Sequence, residues 1–183
     1  MELKRNIYQK LLKWKEENTG RVLELKGARQ VGKTYILKKF GKENFQRMIY
    51  INMAEWSGDI FSKCLETATD WKPGEPYLEH PLQEALKLYD QTFTDDKETV
   101  IIIDEIQESA QVYNQIRTFA REFQAYVIVA ESYPGKISQS DFFFPVGDVD
   151  SMKMETLTFD EVLDAFGERE LYETIDLYGR GKP

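Results

Sequence analysis

The hydrophobic pattern along the chain alternates between short apolar runs and longer stretches with helical spacing. Runs rich in β-branched and aromatic residues predict strands at residues 22–25, 47–52, 99–105 and 126–130, and an edge strand at 149–155. Apolar residues three and four positions apart predict helices at residues 4–17, 33–40, 55–69, 82–92, 110–123, 158–167 and 168–177. Strands that alternate with helices indicate an α/β fold.

The central strand of the sheet is predicted at residues 99–105, where four β-branched residues follow one another from Val100 to Ile103. Such a run is typical of a strand buried on both faces of a parallel sheet. The alternation of elements then implies a doubly wound sheet with right-handed crossovers. Ligands of such sheets bind beyond the carboxyl ends of the strands, so we look for the functional residues there.

Turn and capping residues mark the loops and the end of the domain. Residues 71–81 are rich in proline and predict a loop, as do residues 136–148. Thr158 and Glu161 have the spacing of a helix capping box, and Gly167 is placed to end that helix. We therefore expect one domain over residues 1–167, with residues 168–183 as the start of a truncated C-terminal extension or a linker.

Composition and charge limit the class of protein. The 183 residues suffice for one α/β domain, and 42% hydrophobic and 31% charged residues are an ordinary globular balance. The net charge of −8 gives no indication of a nucleic-acid surface on this domain. The single cysteine, Cys64, excludes an internal disulfide. No apolar run approaches the roughly 20 residues of a membrane span, so we expect a soluble, cytoplasmic protein without a membrane partner.

The segment from Gly27 to Thr34 fits G-x-x-x-x-G-K-[ST], the phosphate-binding loop of P-loop NTPases, and lies between a predicted strand and a predicted helix. Its two glycines are expected to let the backbone curl so that N–H groups face an anion, at the positive end of the helix that starts at Lys33. Lys33 is expected to reach the β- and γ-phosphates, and the Thr34 hydroxyl to ligate Mg²⁺. The predicted nucleotide-binding residues are Gly27, Ala28, Arg29, Gln30, Val31, Gly32, Lys33, Thr34 and Tyr35.

Polar residues follow two of the predicted strands at their carboxyl ends. Asp104 and Glu105 follow the apolar central strand in the Walker-B arrangement. We expect Asp104 to help hold Mg²⁺, through water or the Thr34 hydroxyl, and Glu105 to orient or deprotonate a water that attacks the γ-phosphate. Ser132, at the end of a neighbouring strand, is expected to hydrogen-bond that water or the γ-phosphate. The sequence therefore predicts one active site, with Lys33, Glu105 and Ser132 as catalytic residues and Thr34 and Asp104 as metal ligands.

Other reactive or charged residues give weaker indications. His80 and Cys64 have no neighbouring partner in the sequence that would indicate a metal site or a nucleophile. Arg117 and Arg121 lie one turn apart on a predicted helix; we expect a solvated face, although they could approach a nucleotide on a neighbouring subunit. The aromatic residues 142–144 belong to the core or, if exposed, to a partner site.

Several blocks of the sequence are similar to one known family. These blocks are GARQVGKT at 27–34, IIDEIQ at 102–107, FPVG at 144–147, LTFDEVL at 157–163, and KRNIY at 4–8 with WK at 14–15. In their order and spacing they resemble the prokaryotic AAA-type ATPases of the AAA+ superfamily, which carry a further C-terminal domain of unknown function. The resemblance covers nearly the whole chain.

This resemblance implies a P-loop NTPase fold of the AAA+/RecA-like type, a three-layer sandwich with a central, mostly parallel sheet. It implies ATP and Mg²⁺ as ligands, and it supports the roles of Lys33, Thr34, Asp104 and Glu105 given above, with Ser132 as the polar sensor. Two features depart from the family. The residue before the sensor is usually small but is Glu131 here, where a carboxylate would repel phosphate or turn outward. The chain also stops where the second domain would begin, so we expect it to hydrolyse ATP weakly by itself.

Three functions remain open at this point. The first is an ATPase whose hydrolysis switches the shape of an appended domain or of a partner, which is either a second copy of the chain or an unidentified protein. The second is an interaction module that senses ATP with little or no turnover, an option that Glu131 and the absent second domain leave open. The third, less favoured, is a small-molecule kinase, for which we find no arginine-rich lid segment.

Overall fold

A five-stranded sheet forms the centre of the protein, and helices cover both of its faces. The structure is a computed structural model that describes residues 4–70, 78–132, 141–143, 145–168, 170 and 174. The strands are β1 Val22–Lys26, β2 Arg47–Asn52, β3 Thr99–Asp104, β4 Tyr126–Glu131 and β5 Val149–Lys153. Their order is β2-β3-β4-β1-β5, and every neighbouring pair is parallel. The predicted α/β class and the edge position of the last strand are thereby confirmed.

Seven α-helices and one 3₁₀ turn lie within the described part of the chain. They are α1 Asn6–Glu17, α2 Lys33–Asn44, α3 Trp56–Thr69, α4 Pro81–Tyr89, the turn Ile106–Glu108, α5 Ala110–Tyr113, α6 Ile116–Glu122 and α7 Phe159–Phe166. The predicted capping box is present at α7, where Thr158 and Glu161 satisfy each other's backbone amides, and Gly167 closes the helix at φ +77°. None of the helices in the described ranges is both long and apolar enough to cross a membrane.

The alternation of side chains along the strands divides the core into two clusters. Ile101 and Ile103 of β3 pack on the side of α3, α4, α5 and α6. Val100 and Ile102, one position along, pack on the side of α1 and α2. All six residues of β3 are buried, as expected for a central strand covered on both faces. Each fully buried aliphatic side chain of this kind stabilises the fold by about 1.5–3 kcal/mol, and the paired clusters hold the sheet rigid beneath the site.

One predicted helix is wrong in its continuity. The spacing predicts a single helix over residues 110–123, but the chain forms α5, a break at Asn114 and Gln115, and then α6. The Asn114 side chain donates to the carbonyl of Asp141 at 2.9 Å and accepts from the amide of Phe143 at 2.8 Å. This side chain is therefore committed to a distant loop, and asparagine is a weak helix former in any case.

The ends of some helices and strands differ by a few residues from the predicted ones. Some of the predicted elements also lie outside the described residues. Pro81 begins α4 instead of ending a loop, and β3 ends at Asp104, so that Glu105 lies beyond the strand. The described residues do not include 71–77 of the loop predicted at 71–81, or 136–140 and Phe144 of the loop predicted at 136–148. Most of the helix predicted at 168–177 also lies outside them.

The register of the sheet brings the ends of several strands to the same edge. Asn52 of β2 lies beside Asp104 of β3, and Lys26 of β1 lies beside Glu131 of β4. Because all strands are parallel, the residues that follow them gather at one edge, where the chain also enters α2. This edge is the place at which the sequence predicts the functional residues.

Candidate active site

A cleft of about 570 Å³ opens at the carboxyl edge of the sheet. Its lining residues are Arg29, Gln30, Gly32, Lys33, Thr34, Tyr35, Ala54, Glu105 and Ser132. The loop before α2, the end of β4 and the residue after β3 thus contribute to a single space, as the sequence predicts. Of the nine predicted nucleotide-binding residues, Gly27, Ala28 and Val31 are outside this lining, whereas Ala54, which follows β2, belongs to it.

The two glycines of the loop have different physical roles. Gly32 is at φ +97°, in the left-handed region, and directly precedes α2, where it leaves the first amides of the helix without a side-chain cap. Gly27 does not have a positive φ. A Cβ on Gly27 would lie 2.5 Å from the carbonyl oxygen of Met154, so this glycine allows the residue after β5 to approach the loop. The expectation that both glycines curl the backbone is therefore correct for Gly32 alone.

Lys33 crosses the loop and ties its two ends together. Its ammonium donates to the carbonyls of Gly27 and Ala28, each at 2.8 Å. An ammonium has three donors, so one remains for a ligand in the cleft. Burial lowers the pKa of Lys33, because only 5% of the residue is exposed, while the nearby charges of Glu105 and Asp104 act in the opposite direction.

Arg5 donates a hydrogen bond to the backbone of the loop before α2. The sequence did not predict a role for this residue. One guanidinium nitrogen donates to the carbonyl of Val31 at 2.8 Å, and another donates to the carbonyl of Glu155 at 2.7 Å. Its Nε lies 3.2 Å from the carboxylate of Glu161, the capping residue of α7. Arg5 therefore fixes the loop, the chain after β5 and α7 relative to one another, and Val31 contributes its carbonyl and a buried side chain to this arrangement.

The carboxylate of Asp104 is the most completely hydrogen-bonded acid at the edge of the sheet. Its Oδ2 accepts from the Thr34 hydroxyl at 2.5 Å and from the Tyr50 hydroxyl at 2.9 Å. Its Oδ1 accepts from the backbone amide of Glu105 at 3.0 Å. Asp104 is 0% exposed. The hydroxyl and the carboxylate that the sequence assigns to Mg²⁺ are thus in direct contact, and Tyr50 is a third member that the sequence analysis missed.

Glu105 is oriented by two neighbours. It lies at φ +51° in the left-handed region and lines the cleft. Its Oε1 accepts from the Ser132 hydroxyl at 2.5 Å, and its Oε2 accepts from the amide nitrogen of Gln107 at 2.5 Å. The Gln107 side chain is buried and also accepts from the backbone amide of Ser132 at 3.4 Å. The predicted pair of Glu105 and Ser132 is brought together, and Gln107 is a second residue that the sequence analysis missed.

Glu131 is placed differently from both positions expected for it. Glu131 is not among the residues that line the cleft in the described part of the chain. Its side chain does not turn outward either, because the residue is only 1% exposed. The only cation that an ion pair gives it within the described residues is Lys26, 3.7 Å away, which also pairs with Glu24 at 3.0 Å. Burial, followed by the charge of Glu24, raises the pKa of Glu131.

The weaker candidates have ordinary structural roles. Arg117 and Arg121 both face Asp148, at 3.2 and 3.4 Å, on an exposed surface. His80 is exposed and lies 3.4 Å from Glu122. Phe142 packs against Tyr113 with ring centroids 5.3 Å apart, whereas Phe143 is exposed, so the aromatic segment is divided between core and surface.

Comparison with known proteins identifies the family. The model of a protein family described as "AAA domain" matches residues 19–163. No curated protein matches the chain. Among solved structures, the Aeropyrum pernix ORC2 protein in its ADPNP–ADP complexes has a TM-score of 0.52 at 15% identity, over 92% of this chain and 52% of that chain. The Aeropyrum pernix ORC1 protein in complex with DNA has a TM-score of 0.50 at 15% identity, over 90% and 48%.

A structure of Drosophila ORC bound to DNA has a TM-score of 0.50 at 14% identity, over 85% of this chain and 96% of that chain. At such identities the similarity concerns the fold alone. The chain also spans only about half the length of the two Aeropyrum pernix proteins. The family match nevertheless covers most of the sequence and includes the loop before α2 and the acidic end of β3. The chain therefore belongs to the AAA domain family, and its fold is that of an AAA+ P-loop ATPase domain.

Proposed function

We propose that this chain binds ATP with Mg²⁺ and hydrolyses it, and that hydrolysis changes the shape of a partner or of an appended domain. The observation that carries the proposal is the 2.5 Å hydrogen bond between Thr34 and Asp104. This contact joins the loop before α2 to the acidic end of β3, two parts of the chain that are 70 residues apart. Membership in the AAA domain family supports the same function.

The cleft has the chemistry that a polyphosphate needs. The first amides of α2 lack intrahelical partners, as at any helix start, and they lie at the positive end of the helix dipole. Lys33 keeps one ammonium proton for an anion, and the exposed Arg29 adds a second positive charge to the lining. These groups would hold the phosphates. Tyr35, which is 58% exposed at the rim of the cleft, would contact the part of the nucleotide beyond the phosphates.

The donor set also fits Mg²⁺. A hydroxyl and a carboxylate are hard oxygen ligands of the kind that magnesium prefers, and Thr34 and Asp104 provide both. When bound, the metal would offset the negative charge of the phosphates. Thr34 would ligate it, and Asp104 would hold it directly or through a metal-bound water.

The remaining residues would act on the attacking water. Glu105 lines the cleft with both carboxylate oxygens held by hydrogen bonds, so it is oriented before a ligand binds. It would accept a hydrogen bond or a proton from a water aimed at the terminal phosphate. Ser132 would keep Glu105 oriented and, through its position in the lining, contact the phosphate or the water. Lys33 would stabilise the charge that develops on the transferred group.

A second function, ATP sensing with little turnover, is supported by one specific observation. Glu105 already accepts two short hydrogen bonds, from Ser132 and Gln107, so both of its carboxylate oxygens are engaged before a water arrives. If these contacts persist in the ATP complex, the chain would bind nucleotide and release phosphate slowly. The two functions differ in turnover and share the same binding site.

We further propose that the ATPase unit comprises residues 1–167. The family match ends at residue 163, and α7 closes at Gly167, which supports a boundary there. Residues 168–183 would then lead toward the segment or partner that responds to hydrolysis. That partner would be a second copy of the chain or another protein.

The test of the proposed function is phosphate release from Mg-ATP with water as the only acceptor. We expect release by the wild-type chain and a loss of at least about 100-fold in Glu105→Gln, because the amide cannot take a proton from water. Glu98→Gln is the matched control, since it makes the same change in an exposed residue just before the opposite end of β3, and it should leave the rate unchanged.

Each outcome decides between the functions. Mg-ATP binding with equally slow release in wild type and Glu105→Gln would favour the sensing module. Phosphate release that is equally fast in both chains would contradict the role of Glu105. Failure of the wild-type chain to bind Mg-ATP would contradict the proposal as a whole.

A further inference from the structure

A tyrosine on the neighbouring strand contacts the carboxylate that faces the phosphate loop. Tyr50 lies in β2, paired with Ile102 of β3, and its side chain points to the same face of the sheet as Asp104. Its hydroxyl donates to Asp104 Oδ2 at 2.9 Å, and this is the same oxygen that accepts from Thr34. Nothing in the loop motif or in the acidic motif includes this residue.

The tyrosine determines how many acceptor positions Asp104 has left. A carboxylate offers about four lone-pair positions, two on each oxygen. Thr34 and Tyr50 fill both positions on Oδ2, and the amide of Glu105 fills one on Oδ1. A single position on Oδ1 therefore remains for another donor. Without the Tyr50 hydroxyl, Oδ2 would regain a free position and the carboxylate could rotate away from its present orientation.

Tyr50 has contacts at its backbone, at its ring and at its hydroxyl. The hydroxyl of Tyr89 donates to the backbone carbonyl of Tyr50 at 3.0 Å, which fixes the strand at this point. The ammonium of Lys38, one turn beyond Thr34 on α2, lies 3.7 Å from the centre of the Tyr50 ring. The hydroxyl itself donates to Asp104, with the phenol as the donor and the carboxylate as the acceptor.

We propose that Tyr50 is a positioning residue for the magnesium site, holding Asp104 in the orientation that presents one oxygen to the metal or to a metal-bound water. This inference rests on the proposed function, because it assumes that Asp104 and Thr34 receive the metal of Mg-ATP. The ammonium of Lys38 lies against the tyrosine ring and the tyrosine hydroxyl orients the acid, whereas the Tyr89 hydroxyl contacts the backbone of β2. Residues that hold a metal-binding group in this way change metal affinity by about 10–100-fold when they are removed.

The test compares the magnesium dependence of nucleotide binding in Tyr50→Phe and in Tyr89→Phe. Each substitution removes one phenol hydroxyl and keeps the ring. The Tyr50 hydroxyl contacts Asp104 at the end of β3, and the Tyr89 hydroxyl contacts the backbone of β2. A fluorescent ATP analogue is titrated at increasing Mg²⁺ concentrations and, separately, in EDTA. Thermal unfolding of each variant is followed in parallel, and we expect the loss of one hydrogen bond to lower the unfolding midpoint by roughly 2–4 °C in either case.

We expect Tyr50→Phe to need roughly 10-fold more Mg²⁺ for half-maximal enhancement of nucleotide binding, with affinity in EDTA unchanged. Excess Mg²⁺ should restore binding. Tyr89→Phe should remain within about twofold of wild type, because its hydroxyl donates to the backbone carbonyl of Tyr50 rather than to the Asp104 carboxylate. This combination separates positioning of the metal-binding acid from a general loss of stability.

Three results would overturn the inference. They are an unchanged magnesium dependence in Tyr50→Phe, an equal shift in Tyr89→Phe, and a loss of affinity in EDTA as large as the loss in Mg²⁺. Failure of the proposed function is recognised separately, because it would be seen in the wild-type chain as an absence of nucleotide binding or of any enhancement by Mg²⁺.

Discussion

Two buried carboxylates lie at the ends of neighbouring strands, and their surroundings are opposite. Asp104 at the end of β3 is fully buried and accepts three hydrogen bonds. Glu131 at the end of β4 is equally buried, but within the described part of the chain neither of its oxygens has a hydrogen-bond partner. Asp104 contacts Thr34 of the loop before α2, whereas Glu131 lies beside Glu24 and the half-exposed Lys26.

The difference shows which buried charge the fold is arranged to hold. A buried carboxylate is costly unless donors replace the water it has lost. Donors from α2, β2 and the residue after β3 converge on Asp104 and replace the water that the carboxylate has lost. Glu131 has an ammonium at 3.7 Å and an acid beside it, so its charge is poorly compensated. Burial alone therefore does not distinguish the two acids, whereas the donors around them do.

The largest expected effect follows from removing the charge of Asp104. In Asp104→Asn, Thr34 and Tyr50 would face an uncharged side chain that holds Mg²⁺ weakly. We expect phosphate release to fall by at least about 100-fold and the magnesium enhancement of ATP binding to be lost. Asp150→Asn is the matched control, because Asp150 lies in β5, away from the cleft, and accepts hydrogen bonds from Thr19 and Arg21. This variant should retain wild-type phosphate release. Normal release by Asp104→Asn would remove the distinction between the two acids.

The smaller effect follows from removing the charge of Glu131. Glu131→Gln keeps the shape of the side chain but removes a charge without hydrogen bonds, so we expect a gain in stability at pH 7.5. The gain should be on the order of 1 kcal/mol, which raises the unfolding midpoint by roughly 2–4 °C in a chain of this size. Phosphate release should remain within about threefold of wild type. A loss of release comparable to that of Asp104→Asn would show that Glu131 belongs to the active site.

The pH dependence of stability sharpens the same comparison. The pKa of Glu131 is raised in the folded chain above its ordinary value of 4.5, so folding takes up a proton between those two values. The stability that this group contributes is fully present below pH 4.5 and is lost as the pH rises through the folded pKa. The advantage of Glu131→Gln over wild type should therefore be largest at pH 7.5 and shrink toward pH 5. Chemical denaturation at both values measures it, and an advantage that grows on acidification would contradict the account.

The sequence was sufficient to predict the parts of the fold that depend on local pattern. The apolar run of β3, the loop before α2 and the capping box of α7 all carry their information within about ten residues, and each is confirmed. The helix predicted over residues 110–123 failed because Asn114 is committed to a loop some 27 residues away. Spacing within the helix carries no information about such a contact.

The candidate site divides in the same way. Thr34 and Asp104 belong to recognisable motifs, so their meeting could be predicted without knowing the order of the strands. Tyr50 could not be assigned a role, because nothing in the sequence indicates that β2 pairs with β3 in the register that places Tyr50 opposite Ile102. Gln107 was missed for a different reason. It lies two residues after Glu105, but only the left-handed turn at Glu105 brings its side chain back onto the Glu105 carboxylate.

The central claim is that the loop before α2 binds the phosphates of ATP. The most direct test is a calorimetric titration of ATP, in EDTA, into the wild-type chain and into Lys33→Ala. Lys42→Ala, which removes an exposed lysine near the other end of α2, is the control. The account predicts that ATP binds to wild type and to Lys42→Ala alike and that Lys33→Ala loses at least about 10-fold in affinity, because a charge-assisted contact to phosphate is lost. Equal affinity of wild type and Lys33→Ala for ATP would contradict it.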